Sequence, residues 1–356
     1  MNDSKELLRR LCLAPGPPGA EDDVRRIVRE TLATAGAIRH DKLGSLLCEK
    51  PGTSDTPRVM LDSHLDEVGF MVQSISADGL LAFVTLGSWW GHVLLGQRVE
   101  ILTERGRIPG VIGSKPPHFL SPAEREKVQK PEAMYIDVGA SERAQVERLG
   151  VRVGDPVVPS AEFQELGVED RLSCKAFDNR AGVALMCETL LALADREHPN
   201  TVIGVGAVQE ELGARGAGTA AELARPDVGI ILECTPADDL PGFTERQAIL
   251  GGGPQIRHFD PTAVSSRRLV RFVESVAESV EVPLQMAVRR SGGTDAGTVH
   301  RSREGVPTVV IGVPARYIHS HCALLDWKDY LAARKLIVEL VARLDAEIVG
   351  SLTDFD

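Results

Sequence analysis

The spacing of apolar residues changes along the chain and divides it into regions with different predicted structures. Residues 21–34 carry apolar side chains at helical spacing and predict an amphipathic helix, and residues 57–62 predict a short buried strand. Beyond about residue 165, strands and helices alternate again. The strands predicted there are 202–208, 228–232 and 308–311, and the helices are 180–194, 265–279 and 327–349.

The segment from residue 70 to residue 159 has a different pattern. Short apolar and β-branched runs alternate there with turns rich in glycine, proline and charge, and helical spacing is confined to 141–149. Strands at such regular intervals predict a small β-barrel or sandwich. The predicted fold class is therefore α/β, with a discontinuous mixed-sheet domain, 1–69 and 160–356, interrupted by an inserted β-barrel domain, 70–159. Three consecutive modules are the alternative, but they leave strand 57–62 without a sheet to join.

Composition narrows the class of protein. The chain has 356 residues, of which 43% are hydrophobic and 26% charged, a balance typical of globular proteins. Its net charge of −11 disfavours nucleic acid and anionic membrane surfaces as partners. The N-terminal residues lack the apolar core of a signal peptide, and no apolar run is long enough to span a bilayer. A cytoplasmic protein is expected, and its six scattered cysteines, without a C-x-x-C pair, indicate neither a disulfide framework nor a zinc knuckle.

Acids and histidines follow four of the predicted strands. In an open α/β sheet, ligands bind outside the carboxyl ends of the strands, so these side chains are expected to converge on one cleft. They are, in chain order, His64, the pair Glu210 and Glu211, Glu233, and His319.

Asp178 is the fifth position of this set and precedes the predicted helix 180–194. Alone it would be interpreted as a helix N-cap. Within the set, its two carboxylate oxygens could bridge two cations. Two histidines and three carboxylates suit two divalent ions of zinc, cobalt or manganese, and they contain too much nitrogen for a calcium site.

The two adjacent glutamates are expected to divide their roles. Neighbouring side chains on an extended segment point in opposite directions, so one of Glu210 and Glu211 would bind metal and the other would accept a proton. Asp66, two residues after His64, is predicted to orient that imidazole, since metal-bound histidines usually donate their second N–H to a carboxylate. Each of these motifs alone more often has a structural role than a catalytic one, and the same holds for His319 or His321 alone. Their shared position after predicted strands favours the interpretation that they form one metal site.

Longer motifs make the chain resemble the tetrahedral aminopeptidases, the metallopeptidase family that includes glutamyl aminopeptidases and the cellulase M proteins. The resemblance covers almost the whole chain. Its motifs include LDSHLDEVGF (61–70), KAFDNRAG (175–182), VQEELGARGA (208–217), SGGTDAGTVH (291–300) and EGVPTVVIGVPARYIHS (304–320). It implies a metallopeptidase domain with an inserted PDZ-like barrel, and hydrolysis of N-terminal residues from peptides.

The resemblance also assigns roles to the predicted residues. His64 and Glu233 would hold one metal ion, and Glu211 and His319 the other, with Asp178 bridging them. Glu210 would be the general base and Asp66 would support His64. The inserted β domain would mediate self-association, from a dimer up to a tetrahedral dodecamer that admits peptides as substrates.

Two positions depart from the family pattern. Glu233 stands where most relatives are expected to have aspartate, and the additional methylene moves the carboxylate by roughly 1.5 Å, one carbon–carbon bond. Asn179 replaces a frequent acid beside Asp178, which makes the surroundings of that aspartate less negative. Neither change removes a type of ligand.

Other functions are compatible with parts of the pattern. A related metal-dependent deacylase or carboxypeptidase would use a similar centre, and Glu233 is the only sequence feature that favours it. An endoglucanase-type glycosidase also uses two carboxylates, but with 4% aromatic residues the chain offers only Trp89 and Trp90 for sugar stacking. A non-catalytic shell protein would leave Glu210 without a role. For a peptidase, the glycine-rich loop 291–297 is expected to frame the substrate.

Overall fold

The computed structural model describes residues 3–194 and 196–355. The helices are α1 Asp3–Leu13, α2 Asp22–Thr31, α3 Pro122–Arg125, α4 Arg143–Leu149, α5 Phe177–Ala192, α6 Arg215–Ala224, α7 Arg267–Ser279, α8 Ala296–Val299, α9 Trp327–Arg343 and α10 Ala346–Leu352. The strands up to residue 174 are β1 Ala37–His40, β2 Leu46–Lys50, β3 Arg58–His64, β4 Gly69–Ile75, β5 Leu81–Leu86, β6 Arg98–Thr103, β7 Gly106–Gly113, β8 Tyr135–Asp137, β9 Pro156–Pro159, β10 Gln164–Glu165 and β11 Arg171–Cys174. The remaining strands are β12 Thr201–Ala207, β13 Val228–Pro236, β14 Gln255–Asp260, β15 Ala263–Val264, β16 Gln285–Val288, β17 Thr308–Arg316 and β18 Ala323–Asp326.

The larger sheet has 12 strands and mixes parallel and antiparallel pairs, which confirms the predicted fold class. Its main path runs β1-β2-β12-β3-β13-β17-β18-β11-β10, and β14, β15 and β16 extend from β17. At its centre, β12, β3, β13 and β17 are mutually parallel. Their carboxyl ends therefore lie at one edge of the sheet, where ligands of α/β proteins bind.

The central strands are buried on both faces because helices cover the sheet on each side. Ile203 and Val205 of β12 pack in one apolar cluster with Ala217 and Ala220 of α6. Val202 lies in the other cluster, which contains α5, α7 and α9. Alternating strand residues thus reach opposite layers, as the two-residue period of a strand requires.

A closed antiparallel barrel forms the second structural unit, with the strand order β4-β5-β8-β7-β6-β9. Phe70, Leu81, Phe83 and Ile101 are among the apolar side chains that fill it. All of its strands fall between Gly69 and Pro159, and strands of the larger sheet precede and follow that range in the chain. The predicted β-barrel is thus confirmed.

Several predicted elements have different bounds in the structure, and the strands predicted to end at residues 62 and 311 continue to His64 and Arg316. The single helix predicted over 327–349 is two helices, because the chain breaks after Arg343 and the Asp345 side chain accepts a hydrogen bond from the Ile348 N–H at 2.8 Å, capping α10. The strand predicted to end before Glu233 continues as β13, so this glutamate lies within the strand. In the described part of the chain, no helix combines the length and the apolar character needed to cross a membrane.

A buried ionic cluster ties the N-terminal helix to the sheet. The Lys175 Nζ lies 2.5 and 2.6 Å from the two carboxylate oxygens of Glu67. Arg180, with no exposed surface, donates to the carbonyl oxygens of Leu11 and Ala14 at the end of α1 and lies 3.5 Å from Glu67. These side chains fix the segments on which His64 and Asp178 are carried.

Replacing Arg180 with methionine is predicted to destabilise the protein by roughly 3–5 kcal/mol, because the carbonyls at the end of α1 lose their donor and a buried ionic cluster loses a cation. Urea unfolding followed by circular dichroism measures the effect. Arg9→Met is the matched control on the surface of α1, where the Arg9–Glu6 pair is partly exposed and contributes less than about 1 kcal/mol. Equal unfolding midpoints for the two variants would contradict a structural role for Arg180.

Candidate active site

The residues predicted as metal ligands and general base surround one cavity of about 430 Å³ at the carboxyl ends of the parallel strands. Side chains from separate strands and loops line it: His64, Asp178, Glu210, Glu211, Glu233 and His319. Asp66 is fully buried behind this lining. The structure therefore brings the predicted set together, although its members are distant in the sequence.

His64 ends β3 and turns one ring nitrogen into the cavity. Its Nε2 lies 3.3 Å from Asp178 Oδ1 and 3.9 Å from Glu233 Oε2. On the other side, Nδ1 lies 3.1 Å from the carbonyl oxygen of Asp66. Because a carbonyl only accepts hydrogen bonds, this contact places a proton on Nδ1, so Nε2, which faces the carboxylates, is the nitrogen that can bind either a second proton or a cation.

His319 is arranged in the same way. Its Nε2 lies 3.3 Å from both Asp178 Oδ2 and Glu211 Oε1. Its Nδ1 lies 2.9 Å from the carbonyl oxygen of Ser88, in the loop that follows β5 of the barrel. The sequence offered no indication of this contact, through which the barrel orients a residue that follows β17 of the larger sheet.

Asp178 presents one carboxylate oxygen to each imidazole, at 3.3 Å in both cases. It lies in the first turn of α5, where Asp178 and Asn179 have non-helical backbone angles. The Asn179 amide donates to the Leu232 carbonyl at 2.7 Å and accepts from the Gly182 N–H at 3.1 Å. An ionised carboxylate could not make the first of these bonds, so the asparagine links Asp178 to the strand that carries Glu233.

Glu210 and Glu211 lie in a single turn of 3₁₀ helix, Glu210–Leu212. The prediction of an extended segment was wrong, because Gln209 adopts a positive φ of 58° and ends the strand geometry. In a 3₁₀ turn successive side chains differ in direction by roughly 120°, which still separates the two glutamates. Glu211 approaches His319, and the Glu210 carboxylate lies 3.9 Å from His64 Nε2.

Asp66 holds this turn in place. Its two carboxylate oxygens accept hydrogen bonds from the backbone N–H groups of Glu210 at 2.9 Å and Glu211 at 3.0 Å. Its Oδ1 is also 3.5 Å from His64 Nδ1. One buried carboxylate thus positions both glutamates and lies beside the imidazole that it was predicted to orient.

The cluster concentrates negative charge in a buried space. Burial raises the pKa of Glu233 to about 8 and that of Glu210 well above its usual range. Burial alone would lower the histidine pKa values, but Asp178 and the neighbouring carboxylates together outweigh it and raise the pKa of His64 well above its usual range and that of His319 to about 11. Without metal ions, these glutamates and histidines are therefore expected to hold protons near neutral pH, which reduces the repulsion between the carboxylates.

The donor atoms fit a pair of divalent cations. The sets His64–Asp178–Glu233 and Asp178–Glu211–His319 each offer ligand atoms within 4.8 Å of one another, and they share Asp178. Mixed imidazole and carboxylate ligands suit zinc, cobalt or manganese. The geometry thus matches neighbouring metal sites with a common carboxylate, a form found in metallohydrolases.

Three arginines that were not predicted line the rest of the cleft: Arg257, Arg289 and Arg301. Arg289 and Arg301 lie on either side of the glycine-rich motif at 291–300, which was the available sequence signal. The loop expected to frame the substrate does line the cleft, through Ser291, Gly292 and Gly293 among others.

The tryptophans proposed as sugar platforms lie elsewhere. Trp89 stacks on Phe70 of the barrel with ring centres 4.7 Å apart, and Trp90 is 64% exposed beside a neighbouring cavity. Among the described residues, no phenylalanine, tyrosine or tryptophan lines the carboxylate cleft. The stacking surface that a glycosidase uses is therefore absent from this part of the structure.

Fold and site together are those expected of a metal-dependent hydrolase built on a mixed α/β sheet, and comparison with known proteins narrows this class. FrvX of Escherichia coli is 39% identical over 354 residues, 98% of each chain. The glutamyl aminopeptidase of Lactococcus lactis is 34% identical over 95% of each chain. The lysyl aminopeptidase of Pyrococcus furiosus is 33% identical, over 95% of this chain and 97% of the relative.

Solved structures agree with these relatives. A TET aminopeptidase from a marine sediment archaeon of the Thaumarchaeota has a TM-score of 0.96 at 43% identity, covering 99% of this chain and 100% of that one. The structure described as an endoglucanase from Thermotoga maritima has a TM-score of 0.79 at 30% identity, over 97% of this chain and 99% of that one. The model of the M42 glutamyl aminopeptidases matches residues 44–336.

The chain belongs to the M42 glutamyl aminopeptidase family. The predicted resemblance is thus confirmed, and the chain is a peptidase of a metal-dependent aminopeptidase family. Its relatives include proteins named for an acidic and for a basic first residue. Family membership therefore leaves the preferred residue open.

The metal-free protein is predicted to lose stability as the pH rises from about 6.5 to about 8. A group whose pKa is higher in the folded than in the unfolded chain keeps a proton that the unfolded chain has released, so the folded state is disfavoured as pH rises between the two values. Glu233, His64 and His319 all act in this direction across this window. The melting temperature after chelator treatment measures the slope.

Zinc-loaded protein is the control for that scan. Metal ligands must be deprotonated to bind, so zinc affinity increases with pH and should flatten or reverse the slope. A melting temperature of the chelated protein that rises steadily from pH 6.5 to pH 8 would contradict the electrostatic description of the cluster.

Proposed function

We propose that this chain removes N-terminal residues from peptides through a dinuclear metal centre, with Glu210 as the general base. The observation that carries the proposal is Asp178, which presents one carboxylate oxygen to each of two imidazoles at 3.3 Å. His64 and Glu233 would hold one ion, and Glu211 and His319 the other. When bound, two divalent ions would polarise the scissile carbonyl and lower the pKa of a water molecule.

Glu210 is suited to move a proton in this cleft. It lines the cavity and also lies close enough to His64 and Glu211 to form a ligand set with them, but it is not needed for either of the two sets that share Asp178. Burial raises the pKa of Glu210 well above its usual range, which favours proton uptake near neutral pH. We assign it to take the proton from the attacking water and to deliver it to the leaving amine. Asp66 would keep it in position through the backbone of the turn.

Recognition of the peptide requires space for its backbone and a partner for its α-amine. The carboxylates of the cleft provide negative charge for the protonated amine. Gly292 and Gly293 in the lining present no side chain, which leaves room for the peptide backbone to approach. A carboxypeptidase or deacylase would use the same centre without needing a free amine.

We further infer that the chain self-associates through its barrel region, residues 70–159. The TET1 peptidase of Pyrococcus horikoshii, 30% identical to this chain, assembles into a tetrahedron or a large octahedral shell. In the barrel region of this chain, Trp90 and Phe119 are 64% and 71% exposed. These large apolar side chains provide surface for a second subunit.

Glu210→Gln is predicted to lower kcat at least about a thousandfold while both metals stay bound, because the amide keeps the shape of the side chain but cannot accept the proton. Hydrolysis of an unblocked peptide, measured by mass spectrometry together with metal analysis, tests both statements. The same peptide acetylated at its N-terminus is the control, and wild-type protein should leave it intact. Full activity of the variant, or cleavage of the acetylated peptide, would reject the proposal.

Asp178→Ala is predicted to empty or disorder both metal sites, because each would lose the shared ligand and the two cations would lose the charge between them. Zinc titration calorimetry should show tight binding to the wild-type chain and a loss of at least about 100-fold in affinity for the variant. Asn179→Ala is the control, because it releases hydrogen bonds at the start of α5 without removing a proposed ligand. It therefore separates the loss of the Asp178 carboxylate from a disturbance of the α5 geometry. Two tightly bound ions in Asp178→Ala would refute the bridging assignment.

A further inference from the structure

A second cavity, of about 730 Å³, adjoins the carboxylate cleft. Ser88, Ile318 and His319 line both spaces, so the second cavity lies directly beside the proposed metal centre. Its other walls come from the segment between β5 and β6 of the barrel and from the loop between β17 and β18. Two adjacent tryptophans contribute to the first of these walls, and the space is therefore named the tryptophan cavity.

The tryptophan cavity differs from the cleft in charge. Four carboxylates and three arginines line the cleft. Among the described residues, no aspartate, glutamate, lysine or arginine lines the tryptophan cavity, and its walls include Trp89, Val93 and Tyr317. Trp89 is fixed, because its ring stacks on Phe70 and its Nε1 donates to the Gly69 carbonyl oxygen at 3.0 Å. A preformed wall of this kind favours an uncharged and aromatic ligand group.

His321 adds a polar group to the buried part of this cavity. It is 6% exposed, and the centre of its ring lies 5.8 Å from that of the Trp89 ring. Neither ring nitrogen has a partner with the distance and angle of a hydrogen bond among the described residues, although the Arg98 backbone lies near the ring. A buried polar group without a partner is costly, so this imidazole favours a ligand that carries a hydrogen-bonding group.

We propose that the tryptophan cavity is the subsite for the side chain of the second residue of the peptide, and that it selects an aromatic side chain there, tyrosine above all. The inference rests on the proposed aminopeptidase function. With the first residue bound by its amine among the carboxylates, the second residue follows the scissile carbonyl at the metal centre, where His319 borders both spaces. A tyrosine ring would pack against Trp89, and its hydroxyl would be the hydrogen-bond partner of His321.

An aromatic side chain on the first residue would offer the same chemistry to this cavity. Two series of tetrapeptides separate the two positions. The second-residue series has the form leucine-X-glycine-glycine, and the first-residue series has the form X-alanine-glycine-glycine. X is alanine, leucine, phenylalanine, tyrosine, aspartate or lysine. The initial rate at which the zinc- or cobalt-loaded protein releases the first residue, followed by mass spectrometry, gives kcat/KM for each peptide.

In the second-residue series, tyrosine is expected to exceed alanine in kcat/KM by at least about tenfold, because its ring leaves water for an apolar wall. Aspartate and lysine should be the poorest members, because the cavity offers no opposite charge. His321→Phe keeps a ring in place but removes the polar atoms. This variant should therefore lower the ratio of tyrosine to phenylalanine by about 3- to 10-fold.

Cys322 allows the cavity to be filled in the folded wild-type protein. It lines the cavity and is exposed, whereas the other five cysteines are buried. Addition of its thiol across the double bond of N-phenylmaleimide should place a ring in the cavity and lower the ratio of tyrosine to alanine kcat/KM by about tenfold. Cys322→Ser is the matched control. It keeps the size of the side chain, and its ratio should not respond to the reagent.

A ratio of tyrosine to alanine near one in the second-residue series would overturn the subsite while aminopeptidase activity stands. A ratio that labelling of Cys322 leaves unchanged would overturn it too, and so would a labelling effect confined to the first-residue series. Failure to release the first residue from any of these unblocked peptides would instead reject the proposed function itself.

Discussion

The structure depends on keeping four carboxylates close together in a buried cleft. Like charges at such distances repel strongly where water is scarce, and burial adds to the cost of ionisation. The arrangement becomes favourable when cations occupy the space between the acids. Asp178 is central because its two oxygens face two imidazoles, each already oriented by a carbonyl on its far side. The repulsion between these carboxylates thus favours cation binding even in the absence of a substrate.

The fold supplies rigid support for this unfavourable arrangement. Parallel strands deliver His64 and Glu233 from the interior of the sheet, where helices cover both faces. Asp66 fixes the turn of the two glutamates through backbone hydrogen bonds. Asn179 joins the start of α5 to the strand beside it, and the buried cluster of Lys175, Glu67 and Arg180 ties the same segments to α1. The cleft residues are therefore positioned by side chains that do not themselves line the cleft.

The barrel contributes to the site as well as to the surface. The Ser88 carbonyl orients His319, so the position of the barrel and the geometry of the proposed metal centre are linked. The other side of the cleft is lined by Arg257, Arg289 and Arg301, and the first two are paired with the buried carboxylates of Asp260 and Asp238.

Much of the site could be predicted from the sequence, because histidines and acids after apolar strands have one place to gather in an open sheet. Local sequence patterns predicted the alternation of helices and strands and the barrel. They also predicted the candidate residues from His64 to His319. The turn at Gln209, the break before Asp345 and the carbonyl partner of His319 were not predicted. They depend on a positive φ, a cap and a contact across 231 positions of sequence, none of which leaves a periodic signal.

The sequence by itself determined the two kinds of structural unit, the family and the chemical types of the candidate ligands. Only the tertiary structure decided which oxygen faces which imidazole, that Asp66 holds both glutamates, and that arginines from three separate segments line the same cleft. The physical reason is that side-chain direction around turns, and contacts between distant segments, are set by packing of the whole chain rather than by the spacing of neighbouring residues.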